Sequence, residues 1–159
     1  MGRILYYGWY AVSIYFKPMD KQVEWEWVWS RARPMWMRDT QGIVAINEKA
    51  EIQAVCVFDS FTPDACNTHF AIDNPMVIRH GFFHTVADHI FNTCGKKRFF
   101  GLLPGDNEKA LKLDKHIGMV EVARIPHGYR EGVDYIVLGM DRKQCARWLN
   151  EEHKQEAAA

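Results

Sequence analysis

Cysteine is scarce in this chain and follows no pattern. Cys56, Cys66, Cys94 and Cys145 are widely spaced and contain no C-x-x-C pair, which excludes a zinc ribbon. Two of them lie in apolar patterns and read as buried thiols, as expected in a reducing compartment. An excess of either charge is also missing. Lys+Arg and Asp+Glu both number 20, for a formal net charge of zero. A generic nucleic-acid binder should be basic, so that class is disfavoured, although a local basic patch is not. No apolar run is long enough for a membrane span. Tyr6, Tyr7 and Trp9 interrupt what would be the apolar core of a signal peptide. A soluble, cytoplasmic chain is expected, with no membrane partner. There is no internal repeat and no linker. The 159 residues read as a single domain over 1–150 with a flexible, polar tail over 151–159. A chain of this length buries ~68–70% of its unfolded surface and needs neither disulfide nor metal to stabilise a core. What is plentiful is aromatic surface: 13% of residues, with six tryptophans, mostly near the N-terminus.

The clearest stretch runs from Phe99 to Met119. Phe99–Leu103 is a short apolar run of the kind found in buried strands, and Pro104-Gly105 ends it. Asp106 or Asn107 then caps a helix. Ala110, Leu113 and Ile117 share one face of that helix, and Lys109, Lys112 and Lys115 fall elsewhere. Gly118 stands where a helix terminus favours positive φ, and Met119-Val120 opens the next strand.

Elsewhere the order is legible from Gly42 onward. Ile43–Ile46 and Ile52–Phe58 form a hairpin over the turn 47–51. Asp59–Asn67 reads as loop and Thr68–Ile72 as a strand. Asn74-Pro75 opens a helix, with asparagine at the cap and proline at the first helical position. It runs to about Asn92, with Val77, Phe83, Ala87, Ile90 and Phe91 facing the core, and Cys94-Gly95 closes it. Met119–Ile125 and Val133–Met140 are strands joined by the long loop 126–132. Asp141 caps a last helix through Leu149. The first third is less determinate. Residues 4–16 are apolar almost throughout, as a buried strand or a buried helix, and Lys17-Pro18 ends that element. Val23, Trp25, Trp27 and Trp29 alternate as in a strand, whereas Asp20 as a cap and an acidic early turn favour a helix.

Asn107, Ala110, Leu113 and Gly118 resemble the N-x-x-A-x-x-L-x-x-x-x-G pattern of the Gcn5-related N-acetyltransferase (GNAT) superfamily, and Met119–Val122 resembles the strand that follows it. The likeness extends over about residues 42–140. The stretches VCVFDSFTPDACNTHFAID and GLLPGDNEKALKLDKHIGM resemble small GNAT-like proteins of tailed bacteriophages. The resemblance implies an α/β (α+β) fold: a mixed, mostly antiparallel sheet flanked by helices, splayed between its fourth and fifth strands. It tips residues 23–29 toward a helix. It implies an acyl-CoA-dependent N-acyltransferase that takes acetyl-CoA as cosubstrate and uses no metal. The amine acceptor is a small molecule or protein, attacking directly in a ternary complex, and a homodimer is open. The alternative is a GNAT-shaped CoA-binding or structural module, in the host cytoplasm or a virion if phage-encoded.

Acetyl-CoA presents a diphosphate and an arm with two amides. The Asn74-Pro75 helix start is expected to offer unpaired amides over Met76–Arg79 to an anion. The family's Q/R-x-x-G-x-G/A loop aligns with Arg79-His80-Gly81-Phe82-Phe83-His84, where only the arginine matches and positions 82 and 84 are bulky. By the resemblance, the arm pairs with the backbone of His69, Phe70, Ala71, Ile72 and Asp73, while Asn107 and Ala110 flank it. Asp114 stands where the family places its tyrosine acid, and a carboxyl can act there only if burial raises its pKa. The candidate bases are His69, Asp59 and Asp73, with a strand histidine having a suitable intrinsic pKa. His80 and His84 are four apart but have no third metal ligand. Lys96-Lys97-Arg98 reads as a solvated loop or as a holder for an adenosine 3′-phosphate.

Overall fold

A computed structural model describes residues 13–149. Residues 4–12 of the apolar N-terminal stretch and the tail from 151 lie outside the described residues. The chain divides into two compact units. One combines residues up to Ser60 with Thr68–Val86, and the other combines Phe61–Asn67 with the residues from Ala87 onward.

In the first unit, β1 (Tyr15–Pro18) pairs antiparallel with β2 (Gln41–Ile46), which pairs antiparallel with β3 (Ile52–Asp59). The expected hairpin is present, with Asn47 organising its turn: its Oδ1 accepts from the Lys49 and Glu51 amides. Lys17-Pro18 ends β1 as expected, with Pro18 paired opposite Ile43 on an edge strand, where proline is tolerated. The tryptophan-rich segment is a helix, α1 (Trp25–Ala32). Asp20 acts one turn ahead of it: Oδ1 accepts from Gln22 and Val23, and its carbonyl accepts from the Glu24 amide. Val28 packs with Val44, Val55 and Val57, and Trp25, Trp27 and Ala71 lie against that cluster. Beyond Ile72 the expected long helix is interrupted. α2 (Met76–Arg79) is one turn, and α3 (Phe82–Asp88) follows after Gly81, whose φ of +96° breaks the helix. Pro75 occupies the N-cap position, one residue earlier in the helix than expected, while the Asn74 side chain accepts from the Met76 amide. Val77, Phe82, Phe83 and Val86 are buried.

In the second unit, α3 runs into a π-helical turn, His89–Thr93, closed by Gly95 at positive φ. Phe91 meets Phe99 of β5 (Arg98–Pro104). β5 pairs antiparallel with β7 (Val133–Asp141), and β7 pairs with β6 (Val120–Arg130). α4 (Glu108–Ile117) lies between β5 and β6 in sequence, capped by Asn107 and ended by Gly118 at φ +109°. The loop expected over 126–132 shrinks to residues 131–132. His127 and Asp134 hold the irregular end of β6: Asp134 Oδ1 accepts from the His127 amide, and His127 Nδ1 accepts from Gly132. Asp141 caps a turn through Gln144 before the short α5 (Ala146–Leu149).

β4 (Ala65–Ile72) begins three residues earlier than its alternation suggests. Thr62 organises the start: its amide and hydroxyl exchange hydrogen bonds with the Ala65 backbone. Those first residues pair in parallel with β5, Ala65 to Arg98, Cys66 to Phe99 and Asn67 to Phe100. The parallel pairing stops there, although β4 continues to Ile72, which is the splay expected between the fourth and fifth strands. Seven strands among the described residues form one mixed, mostly antiparallel sheet, in the order β1-β2-β3-β4-β5-β7-β6. No described helix is long and apolar enough to cross a membrane.

Candidate active site

β3 ends on Asp59, and β4 carries His69. Two residues that the sequence offers as alternative bases stand side by side. His69 Nε2 lies 2.8 Å from Asp59 Oδ2. Asp59 is 1% exposed, and the same Oδ2 accepts the Met35 amide at 3.1 Å. Burial alone pushes the Asp59 carboxyl up. The neighbouring His69, with the Met35 amide and Ser60, outweighs it and holds the group below its ordinary value. The contact is one of ion-pair distance: Nε2, like Asp59 Oδ1, is buried with no hydrogen-bond partner among the described residues. A buried carboxylate beside an imidazole is the arrangement of an oriented general base.

Met35 carries no recognisable sequence signal, because its contribution is a backbone amide. The loop that supplies it is fixed by Thr40, which is 2% exposed. The Thr40 hydroxyl donates to the Met35 carbonyl and accepts from the Met37 amide.

Downstream on β4, Phe70 lies against Phe83 at 5.2 Å between ring centroids. Ala71 packs on the valine cluster, and Ile72 is partly buried. The third base candidate, Asp73, is engaged: it pairs with Arg31 at 3.0 Å, and its amide donates to the Gln53 carbonyl. The α2 start does not offer the expected free amides. Met76 donates to Asn74 Oδ1, Val77 to the Asn74 carbonyl and Ile78 to the Pro75 carbonyl. Arg79 is exposed. His80 Nδ1 is buried with no hydrogen-bond partner among the described residues. A Cβ at Gly81 would meet nothing within 4 Å, so the backbone there is open.

In the second unit, Asn107 Oδ1 accepts the Ala110 amide at 3.2 Å, which occupies its carbonyl oxygen as a cap. Asp114, on the same helix, is 8% exposed, and burial pushes its carboxyl up to about 6. Lys96 donates to the Thr62 and Pro63 carbonyls, and Lys97 pairs with Asp64. Both are therefore tied to the loop that precedes β4.

The sequence matches no protein-family model and no curated protein. Solved structures do match. The spermidine/spermine N-acetyltransferase SpeG from Vibrio cholerae aligns over 87% of this chain and 96% of its own, with a TM-score of 0.67 and 10% identity. The ribosomal-protein-S5-alanine acetyltransferase from Vibrio fischeri aligns over 64% and 61%, with a TM-score of 0.55 and 17% identity. The chain has the GNAT fold. At these identities the likeness is one of architecture, and the chemistry must be argued from this chain's own residues. The splayed β4 and the capped α4 are elements of that GNAT fold here, whereas the Asp59–His69 pair and the protonatable Asp114 are properties of this sequence.

Proposed function

We propose that this chain is an acyl-CoA-dependent N-acyltransferase, taking acetyl-CoA and acylating an amine by direct attack in a ternary complex. The observation that carries the reading is the buried Asp59 carboxylate 2.8 Å from His69, which makes His69 a base fit to deprotonate an ammonium. Acetyl-CoA supplies the activated acetyl thioester. His69 takes the amine proton on Nδ1, and Asp59 holds the ring and stabilises the imidazolium. Amine acylation also needs a proton for the leaving thiolate. At the position of the family's acid stands Asp114, whose carboxyl burial raises to about 6.

The chain's residues fit the cofactor's arm better than its diphosphate. In β4, strand alternation turns the Phe70 and Ile72 backbone groups opposite to the Asp73 amide, which faces Gln53. Phe70 and Ile72 are therefore the proposed backbone contacts of the arm, and the family resemblance adds Ala71, Asp73, Asn107 and Ala110. For the diphosphate, Arg79, His80 and the open backbone at Gly81 remain. The short α2 does not contribute, since its first amides are taken. Phe82 is buried and His84 exposed at the two positions where the family's loop has small residues. That observation favours a second reading, a GNAT-fold module that is catalytically inactive and serves as a CoA-binding or structural protein.

Thermal melting with and without acetyl-CoA separates the readings. Ligand at ~100 times its dissociation constant adds ~2.7 kcal/mol of stability. No shift at millimolar concentrations overturns acyl transfer. A shift without turnover on any of a panel of amines and peptides leaves the inactive binder.

A further inference from the structure

The loop that anchors Asp59 also walls a groove of about 870 Å³ on the first unit. Trp25, Trp29, Trp36 and Met35 line it, with Glu26 and Arg33. Trp25 meets Trp36 edge-on at 4.5 Å and stacks near Trp29 at 6.5 Å between centroids. Trp29 and Trp36 are still 50% and 55% exposed. Three indoles held together yet half open form an apolar site of ligand size. The groove is joined to the dyad by one hydrogen bond, because Met35 lines it and its amide donates to Asp59.

Charge narrows the occupant. Neither Arg33 nor Glu26 makes an ion pair among the described residues. Lys21 also lines the groove, its ammonium 5.4 Å from the Trp36 ring centroid. A polyamine would bring several positive charges to a site with two cations and one carboxylate. A ring with a single amine and a carboxylate suits it: the ring on the indoles, the carboxylate on the Arg33 fork. Arg33 ends α1 as its left-handed C-cap, at φ 45°.

We propose that the groove binds the acceptor and that the acceptor is a small aromatic amino acid. This rests on the N-acyltransferase reading and names its substrate class. The test is calorimetric titration of the full chain with L-phenylalanine, with and without saturating acetyl-CoA. Phenethylamine and spermidine serve as comparison probes. Phenylalanine is expected to bind in at least one state, about tenfold or more tighter than phenethylamine, which lacks the charged hydrogen bond. Spermidine should not compete. Trp29→Ala should weaken phenylalanine about tenfold. Arg33→Gly, which eases the backbone at φ 45°, should melt no lower than the parent and lose the preference over phenethylamine. The inference is overturned if phenylalanine binds in neither state, if spermidine binds in preference, or if neither variant changes affinity. Sedimentation showing a dimer that Trp29→Ala dissociates also overturns it, the occupant then being a second copy. Acetyl-CoA binding without phenylalanine binding ends this inference alone. Phenylalanine bound through Trp29 and Arg33 with no acetyl-CoA binding or melting shift keeps the groove as an amino-acid site and ends the acyl-transfer reading.

Discussion

His69 Nε2 and Asp59 Oδ2 are 2.8 Å apart, with Asp59 almost wholly shielded from water. In the acyl-transfer reading that carboxylate sets the tautomer and the direction of the ring. If His69 is the base, Asp59→Asn should lower kcat by roughly 10²–10⁴ with KM little changed. The doubly substituted Asp59→Asn/His69→Gln chain should be no slower than His69→Gln alone, because the two act as one unit. Steady-state kinetics across the cycle check this, and additive losses would separate the pair. Asp59 is held below its ordinary value, so its stability contribution is present above the unfolded carboxylate range. It is lost as pH falls through the lowered folded value.

Asp114 has the opposite sign. Its folded pKa is raised from 3.8 to about 6, so the stability it lends is fully present below about pH 4. That contribution disappears as pH rises through 6, where the buried carboxyl must ionise. Asp114→Asn should flatten the loss between pH 4 and 7 and be the more stable form at pH 8, by roughly 2–3 kcal/mol at most. Urea unfolding at pH 5 and pH 8 measures both. In kinetics, if Asp114 donates the proton, turnover should fall as pH rises past 6, and Asp114→Asn should lose that limb together with roughly 10²-fold in rate.

Asn107 combines two jobs that substitution can separate. Its Oδ1 caps α4 by accepting from Ala110, while the side-chain amide is the group proposed to meet the cofactor arm. Asn107→Asp keeps the acceptor and removes the donor, so its melting temperature should hold while the acetyl-CoA shift shrinks. Asn107→Ala should lose the cap as well, at about 1 kcal/mol. Equal acetyl-CoA shifts in all three proteins would confine Asn107 to capping.

Gly81 and Gly118 both have positive φ, but their surroundings differ. At Gly118, φ is +109° and a Cβ would stand 3.0 Å from the Met140 methyl. At Gly81 nothing lies within 4 Å. Gly81→Ala should cost only backbone strain, about 1–2 kcal/mol. Gly118→Ala should cost at least as much, with any excess set by how far the Met140 side chain yields. Denaturant titration of both variants makes the comparison. A Gly118→Ala chain as stable as its parent would show that α4 can end without a left-handed residue.

Local pattern accounts for what could be read directly. The 43–46 and 52–58 strands, the 99–103 strand, the Asn107 cap and the Gly118 stop each depend on neighbours a few residues away. Periodicity, capping and turn chemistry record that scale. The helix expected over 75–92 shows where this fails. Its apolar spacing continues through Gly81, and the break depends on a backbone conformation that the spacing does not encode. The early start of β4 at Ala65 was likewise hidden, because its partner, Arg98, lies 33 positions along.

The sequence by itself determined the sheet-and-helix order from residue 42, the capped α4, the splay implied by family resemblance and the cast of titratable residues. Only the tertiary structure decided that Asp59 and His69 are neighbours and not alternatives, and that Met35, 24 positions from Asp59, completes the pair through its backbone. It also decided that the α2 amides are satisfied internally and that three tryptophans share one groove. These relations join residues whose distance in the chain carries no periodic signal. They arise when apolar burial brings separate segments together and each enclosed polar group must then find a partner.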